Sequence, residues 1–387
     1  MSRLSFFLAS LVWNLGLGMT WLVVPLYAAS QGLSNAQIGV LFSAPVLIQA
    51  ALNLVGGAYT DRVGGRNIML ASCLVMALAA VWFMFAKGFW MLLAGQIGLI
   101  LARAAFWPAT WAMASELPGN RGIELGRLNA VTNVGQIAGA ALCGLLLAGT
   151  TFNATFGTLA ATGVLAFAVG LATRGGSRSR PHTAGRSVLA AYGPLLRQRI
   201  IRYSVFCAYI SALPFSLSMS FYPLLLARYG YGEDTSGLLL ALRALGAIAA
   251  GLIAGRFVRT GPETLWPVVC AVGVAAGVGL LPAVNHLAPI GLWMAVVGFG
   301  SGAMTLYFQI TIAEASRPEE RGAALALGGM GWSLSHLSTP LLMGFLADRY
   351  GIVEAFYVLG GLALACAVLI AWMRRWAFQG GPPIRPA

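Results

Sequence analysis

The chain has 387 residues, of which 59% are hydrophobic and only 9% are charged. A soluble domain carries about 25% charged residues, so this composition excludes a soluble globular protein. The net charge of +13 comes almost wholly from arginine, with Lys87 as the single lysine. The arginines cluster in short segments between apolar runs, which fits cytoplasmic loops of a membrane protein better than a nucleic-acid-binding face.

Twelve apolar runs are long enough to cross a bilayer, which takes about 20 residues in a helix. We therefore predict an all-α membrane protein with twelve transmembrane helices. The first run follows Arg3 but is too long for the apolar core of a signal peptide, so we expect it to be retained. The predicted spans are 4–29, 36–60, 68–87, 89–114, 124–148, 155–174, 200–228, 234–257, 264–284, 288–314, 322–346 and 352–376.

The longest connection, residues 175–199, separates spans 6 and 7. It is rich in glycine, serine, proline and arginine, a composition typical of a linker. The sequence thus predicts an N-terminal six-helix half, residues 1–174, a cytoplasmic linker, and a C-terminal six-helix half, residues 200–387.

The arginines also predict the orientation. If both termini are cytoplasmic, the opposite side carries only Lys87, Arg228 and Arg349. Such an asymmetry is expected from the positive-inside rule. We expect a multi-pass protein of the cell membrane with both termini cytoplasmic, and the size and arginine-rich loops favour a bacterial inner membrane.

The two halves resemble each other. The segment VVPLYAASQGLSNAQIG (23–39) aligns with FYPLLLARYGYGEDTSG (221–237). At a constant offset of 198 residues, the first segment's Pro25, Gly32 and Gly39 match Pro223, Gly230 and Gly237. Two repeats in the same orientation predict a two-fold axis along the membrane normal and a binding site between the halves.

The loop between spans 2 and 3 contains the motif GAYTDRVGGR, residues 57–66. Gly57 permits a close helix approach, and the paired glycines at 64 and 65 permit a tight turn. Asp61 is suited to the N-terminus of a neighbouring helix, where the helix dipole favours an anion. The two arginines of the motif, Arg62 and Arg66, favour a cytoplasmic loop.

This motif resembles the signature loop of the major facilitator superfamily of secondary transporters. The resemblance extends over the whole chain, through the twelve spans, the basic central linker, and P-x-x-R-G segments after spans 4 and 10. It implies that the loop forms a gate in which Asp61 meets the start of span 11 near Gly322 and Arg62 or Arg66 meets Glu116. The implied gating residues are Gly57, Asp61, Arg62, Gly65, Arg66 and Glu116. The alternative is that the arginines only set the topology.

Two arginines lie near the middle of spans, Arg103 in span 4 and Arg243 in span 8. A charge at mid-bilayer costs about 2.5–3.5 kcal/mol on insertion scales and usually faces a cavity or a partner. All eleven acidic residues fall at span ends or in loops. Either the two guanidinium groups bind an anionic substrate, or they bond backbone carbonyls and neutral side chains and are structural.

In the family, spans 1, 4, 7 and 10 line the cavity with contributions from 2, 5, 8 and 11. The resemblance therefore implies substrate contacts from polar and aromatic side chains on these spans. His336 is the only mid-depth group that titrates near neutral pH, which makes it the candidate for proton coupling. A neutral, hydrogen-bonding histidine is the alternative. The predicted substrate-binding residues are Arg103, Arg243, Asn14, Trp107, Tyr209, Tyr307 and Gln309.

We expect a secondary transporter that moves a small organic solute, most simply an anion, by alternating access, as symport or antiport. The alternative within the class is drug efflux by proton antiport. Span 5 carries GQIAGAALCG, similar to the antiporter motif, but Ala140 replaces its proline. The alternative from another class is a membrane enzyme or sensor on a transporter-like fold.

The sequence contains no motif for a nucleotide, metalloprotease or hydrolase site, so we expect a non-enzymatic protein without cofactor or metal. The five cysteines lie in apolar spans without a CxxC pair and are expected to be small hydrophobes. The expected partners are the small-molecule substrate, a coupling proton and the lipid bilayer. We expect a monomer that binds no nucleic acid.

Overall fold

The computed structural model of the chain describes residues 3–118, 120–173, 188–254, 258, 260–317 and 321–379; the side chains of 53–63, 121–122, 188–192, 254 and 321–323 lie outside the description. Within these residues the chain forms fourteen α-helices, one short 3-10 turn and no strand, which confirms the predicted all-α fold. The helices are α1 Arg3–Ser30, α2 Asn35–Val63, α3 Gly65–Phe85, α4 Gly88–Ser115, α5 Arg121–Gly149, α6 Phe152–Leu171, α7 Val188–Arg197, α8 Arg199–Ser218, α9 Tyr222–Arg228, α10 Glu233–Ala254, α11 Trp266–Leu280, α12 Leu287–Ala315, α13 Arg321–Tyr350 and α14 Ile352–Phe378.

Eleven of these helices are long and apolar enough to cross a membrane, counted over the described residues. Since the hydrocarbon core offers no water to backbone groups, a span must satisfy its N–H and C=O groups internally, as an α-helix does. The predicted span 322–346 corresponds to α13, which has 30 residues. Its middle is more polar, with four hydroxyl side chains and His336 between Ser333 and Thr339.

Two predicted segments differ from the structure. The last part of the predicted linker 175–199 forms helix α7. The predicted span 200–228 is not continuous, because α8 ends at Ser218 and α9 begins at Tyr222. Pro223 lies in the first turn of α9. A proline has no N–H to donate to the carbonyl four residues earlier, and it is well tolerated in the first turn of a helix, so a new helix starts at this position. The repeat-equivalent Pro25, in contrast, lies inside the continuous helix α1.

The internal repeat is visible in the turns that follow α1 and α9. Gly32 and Gly230 have φ values of 76° and 78°, a region that favours glycine. The N–H of each glycine bonds the carbonyl three residues back, and the next N–H bonds the carbonyl five residues back, from Leu33 to Ala28 and from Tyr231 to Leu226. The two repeats thus end equivalent helices with the same Schellman cap.

The chain forms two compact units. The first comprises Met1–Thr183 together with Ser218–Ala241, and the second comprises Ala184–Leu217 together with Leu242–Ala387. The first unit therefore includes Met219 and α9, which lie within the predicted C-terminal half, residues 200–387. The predicted boundary at the linker stays a prediction.

Inside the first unit, α1 packs closely on α5. A Cβ atom added at Gly135 would lie 2.5 Å from the carbonyl oxygen of Leu11 and 2.9 Å from the Cβ of Asn14. Only a residue without a side chain fits between helices that approach this closely. The contact fixes the rotation of α1 and thereby the direction of its polar side chains.

Inside the second unit, α10 and α12 interlock through glycines on both helices. A Cβ at Gly246 would lie 2.5 Å from the carbonyl oxygen of Ala295, and a Cβ at Gly302 would lie 2.5 Å from that of Ala247. The close approach holds the mid-helix residue Arg243, one turn before Gly246, against the packed interior.

Candidate substrate-binding sites

Helix α4 places Arg103 at its centre, fifteen residues after Gly88 and twelve before Ser115. No acidic residue of the described helices lies at a comparable depth, because each acid on them falls within a few residues of a helix end. A guanidinium group at this position has no carboxylate on neighbouring helices to neutralise it. Its surroundings therefore decide what it can bind.

Arg103 lines a cavity of about 20 Å³ in the first unit. A cavity needs roughly 10–15 Å³ to hold one water molecule, so this space admits a water or a group of similar size. It is bounded by helices α1 to α4 and by the break between α8 and α9. The lining residues are Trp13, Leu17, Thr20, Phe42, Met76, Gln96, Leu99, Ile100, Arg103 and Met219.

Three lining residues carry buried polar atoms without a hydrogen-bond partner among the described residues. They are the donors Nε of Arg103 and Nε1 of Trp13, and the acceptor Oε1 of Gln96. A second guanidinium nitrogen of Arg103, Nη1, donates to the sulfur of Met219 at 3.7 Å, and a thioether is a weak acceptor. Because buried polar groups are normally hydrogen-bonded, the lining fits a small polar guest.

Met219 is a contact that sequence reasoning missed. It occupies the break between α8 and α9, four residues before Pro223 in the first turn of α9. Pro223 was visible in the sequence as a signal for the break. That the break faces Arg103, 116 residues earlier, depends on tertiary packing that no local pattern encodes.

The predicted residues Asn14 and Trp107 lie in the same unit and contact α5 and α1, respectively. Asn14 is fully buried, donates to the carbonyl of Ser10 at 2.9 Å and accepts from Nε2 of Gln136 at 2.8 Å. The ring of Trp107 stands edge-on to Trp13 with a centroid distance of 6.4 Å. Asn14 therefore joins α1 to α5, while Trp107 supports a cavity-lining ring.

In the second unit, Arg243 lies at the centre of α10 and is 3% exposed. Its guanidinium carbon lies 5.6 Å from the centroid of the Phe215 ring, a cation–π distance. Phe215 in turn contacts the rings of Trp332 and His336 at 5.6 and 5.4 Å. The arginine thus lies beside an aromatic cluster formed by α8 and α13.

Hydrogen bonds fix this aromatic cluster. The indole N–H of Trp332 donates to Oγ of Ser211 at 3.0 Å, and Nδ1 of His336 lies 2.8 Å from the carbonyl oxygen of Trp332. Oγ of Ser301 donates to the carbonyl of Ser211 at 2.6 Å and ties α12 to α8. His336 is held in one ring orientation, and its proposed role in proton coupling stays a prediction.

The other three predicted contacts of this unit are not gathered at one point. Tyr209 bonds Oγ of Ser338 at 2.9 Å and is half-buried. Tyr307 is fully buried, with its ring edge-on to Tyr203 at 6.4 Å. Gln309 is exposed on α12. Tyr209 is the one of the three that lies on the α8–α13 face together with the aromatic cluster.

The described part of the predicted gate lies where α3 begins. A Cβ at Gly65 would lie 3.0 Å from Cγ of Met113 on α4, so this glycine allows a close approach of α3 to α4. Arg66 donates from Nη2 to the carbonyl of Leu171 at 2.8 Å and from Nε to that of Thr173, at the end of α6. Cationic donors at a helix C-terminus are favourable.

The remaining gate predictions are open. Glu116 follows the end of α4 and is exposed. Its predicted pairing with an arginine of the loop stays a prediction. The side chains of Gly57, Asp61, Arg62 and Gly322 lie outside the described residues.

The model of the Major Facilitator Superfamily matches residues 5–305 and 204–383. The chain belongs to the Major Facilitator Superfamily. Membership confirms the family resemblance that the loop motif and the twelve spans indicate. It also accounts for the multi-pass membrane architecture of the chain.

Known members of the superfamily are similar over nearly the full chain. The MFS-type transporter SLC18B1 of Rattus norvegicus is 24% identical, with 94% of this chain and 85% of that protein covered. The probable nitrate/nitrite transporter NarK2 of Mycobacterium tuberculosis is 26% identical, with coverages of 89% and 88%. The quinolone resistance protein NorA of Staphylococcus aureus is 25% identical, with both coverages at 92%.

Solved structures of superfamily transporters have the same fold. A bacterial homologue of the human lysosomal transporter Spinster, inward-facing and unoccupied, superposes with a TM-score of 0.79 at 15% identity, covering 97% of this chain and 96% of that one. The inward-open xylose transporter XylE of E. coli superposes with a TM-score of 0.74 at 13% identity, with coverages of 98% and 97%. At these identities the likeness shows the fold and not the substrate.

Proposed function

We propose that the protein is a secondary transporter that moves a small organic anion by alternating access, and that Arg103 contacts the anion. The observation that carries the proposal is the central arginine of α4 in a cavity whose described lining offers it no carboxylate. Its Nε atom and the indole Nε1 of Trp13 are buried donors without a partner among the described residues. Both would donate to a carboxylate or phosphate oxygen.

The energetics favour an anion over a neutral or cationic solute. Burying an arginine at mid-bilayer costs about 2.5–3.5 kcal/mol, and a cation placed beside it would add repulsion. An anion offsets this cost, because charge-assisted hydrogen bonds to a guanidinium are about twice as strong as neutral ones. The cavity of about 20 Å³ is small, so one charged oxygen of the anion would enter it while the rest of the solute lies outside.

Two relatives support different substrates. Similarity to the probable nitrate/nitrite transporter NarK2 favours an anionic substrate. Similarity to the quinolone resistance protein NorA favours drug efflux, which is the second candidate function. His336, the mid-depth histidine on α13, is our candidate for the coupling proton in either case. We further propose a monomer in the cell membrane with both termini cytoplasmic, on the strength of the arginine distribution.

A thermal-shift experiment on the purified protein tests the anion proposal. Benzoate, benzamide and benzylamine share one ring and differ in charge, so they serve as matched anionic, neutral and cationic probes. We expect benzoate to raise the apparent melting temperature of the wild type and of the control variant Arg349→Gln. We expect no such rise in Arg103→Gln, because glutamine is neutral and lacks the guanidinium group that would bind a carboxylate.

The outcomes are distinct. Stabilisation by benzylamine that persists in Arg103→Gln would move drug efflux ahead of anion transport. Stabilisation by benzoate that also persists in Arg103→Gln would show that the anion binds elsewhere, and Arg243→Gln would then be the next variant. Arg103→Lys separates charge from geometry, since a lysine keeps the charge but loses the bidentate fork.

A further inference from the structure

Two arginines of the second unit share one indole ring. The guanidinium carbon of Arg199 lies 5.4 Å from the ring centroid of Trp376, and that of Arg202 lies 5.1 Å from the same centroid. Arg199 and Arg202 begin α8, whereas Trp376 lies in the last turn of α14. The start of one helix and the end of another are thereby brought together with two like charges.

The positive charge at this place is not balanced by the described residues around it. The first turn of α8 contains no acidic residue, and the dipole of that helix adds a partial positive charge at the same end. Among the described residues, an ion pair at the end of α14 joins Arg375 to Glu263 at 3.8 Å, between side chains that are both mostly exposed. Arg374 contributes a further charge and donates to the carbonyl of Thr264 at 3.2 Å.

Both arginines on the indole are exposed, so their guanidinium groups are accessible from outside the protein. A cation–π contact orients the guanidinium plane without neutralising its charge. Two oriented guanidinium groups beside one ring offer several N–H donors to an anion between them. The guanidinium group matches carboxylate and phosphate oxygens, and phosphate is the anion that every phospholipid head group carries.

An apolar stripe runs from the arginines along α14. Val368, Trp372 and Trp376 are spaced by four residues and thus lie on one face of the helix. The side chains of Val368 and Trp372 are 64% and 74% exposed in the protein alone, so within a membrane they face lipid. Eight residues of helix cover about 12 Å, which reaches from the interface into the hydrocarbon region.

We propose that Arg199, Arg202 and Trp376 bind the phosphate of an anionic phospholipid, whose acyl chain lies along Trp372 and Val368. A tryptophan near the end of a membrane helix sits at head-group level, which is where the phosphate is found. The apolar stripe favours a lipid over a soluble phosphate, because only a lipid has an acyl chain that can pack against the stripe. The site does not depend on the identity of the transported solute.

Native mass spectrometry of the detergent-solubilised protein tests the site. Phosphatidylglycerol and phosphatidylcholine are added separately, and lipid adducts are counted for the wild type, R199Q/R202Q and the control R228Q/R349Q. Each double variant removes two exposed arginines. Each basic residue near an anionic surface strengthens its binding, so we expect the loss of two in R199Q/R202Q to lower phosphatidylglycerol retention roughly thirtyfold. The control is expected to retain it, and phosphatidylcholine adducts should not change.

Two results would overturn the proposal. Equal loss of phosphatidylglycerol in both double variants would mean that only the overall charge matters. Displacement of phosphatidylglycerol from the wild type by glycerol 3-phosphate at similar concentration would assign the arginines to a soluble anion. This competition uses the wild type, so it decides the question even if R199Q/R202Q does not fold.

Discussion

Substituting Gly135 by alanine tests how closely α1 and α5 pack. The added Cβ would lie 2.5 Å from the carbonyl oxygen of Leu11, 2.9 Å from the Cβ of Asn14 and 3.1 Å from the backbone nitrogen of Leu15. Two of these atoms belong to the backbone, so no side-chain rotation relieves the overlap. The helices must separate by several tenths of an ångström.

The cost follows from two unfavourable contributions and one favourable contribution. Overpacking of a well-packed interior costs about 1–3 kcal/mol. Separation of the helices also stretches the 2.8 Å hydrogen bond from Gln136 to Asn14, and a buried hydrogen bond contributes about 1 kcal/mol. Alanine regains about 1 kcal/mol of helix propensity over glycine. We therefore expect Gly135→Ala to lower the free energy of unfolding by about 1–3 kcal/mol.

The matched control is Gly126→Ala on the same helix, where an added Cβ would have no neighbouring atom within 4 Å. It gains the same helix propensity without the overlap, so its stability should be unchanged or higher. Thermal unfolding of both variants in the same detergent, followed by intrinsic fluorescence, gives the comparison. Equal melting temperatures for the two variants would refute the close approach of α1 and α5.

Two further predictions concern polar contacts. Glu124 is 1% exposed and accepts hydrogen bonds from Nε of Arg3 at 3.0 Å and from Nη1 of Arg127 at 2.9 Å. Because glutamine would leave these donors poorly satisfied, Glu124→Gln should lower the free energy of unfolding by about 1–3 kcal/mol, measured by thermal unfolding. The control Glu263→Gln removes the exposed ion pair with Arg375 and should lower the free energy of unfolding by less than about 1 kcal/mol. Similar losses of stability in the two variants would contradict the burial of Glu124. Because Ser338 donates to the carbonyl of Leu334 at 2.8 Å, its oxygen accepts from Tyr209. Tyr209→Phe and Ser338→Ala should each cost about 0.5–1.5 kcal/mol, and a double variant that costs the full sum would refute the bond.

The positions of the helices were largely predictable from the sequence. A bilayer requires long apolar helices, so each span is recognisable in the sequence as a run of about 20 apolar residues. The equivalence of Gly32 and Gly230 was also visible in the sequence, because the internal repeat aligns them, and both have positive φ values. The break before Pro223 was missed because the apolar run continues through it, and hydropathy does not register a missing N–H donor.

The partners of polar residues were not predictable. Asn14 and Gln136 are 122 residues apart, and each was visible only as a polar residue in an apolar span. The rotation of α1 against α5, which Gly135 fixes, decides that they meet. Likewise, nothing local indicates that Met219 lies at Arg103. Such pairs depend on helix packing, to which many residues contribute small terms.

The two mid-span arginines, Arg103 and Arg243, have similar positions in the sequence but different surroundings in the folded protein. Both lie at the centre of a helix, and the same insertion cost applies to both. Arg243 lies over Phe215, whose ring belongs to a hydrogen-bonded aromatic cluster, so part of its cost is offset within the protein. Arg103 faces a cavity, with a weak sulfur acceptor and a buried Nε that no described residue bonds. An arginine held in this way gains most from an external anion, and for this reason we place the anion contact at Arg103.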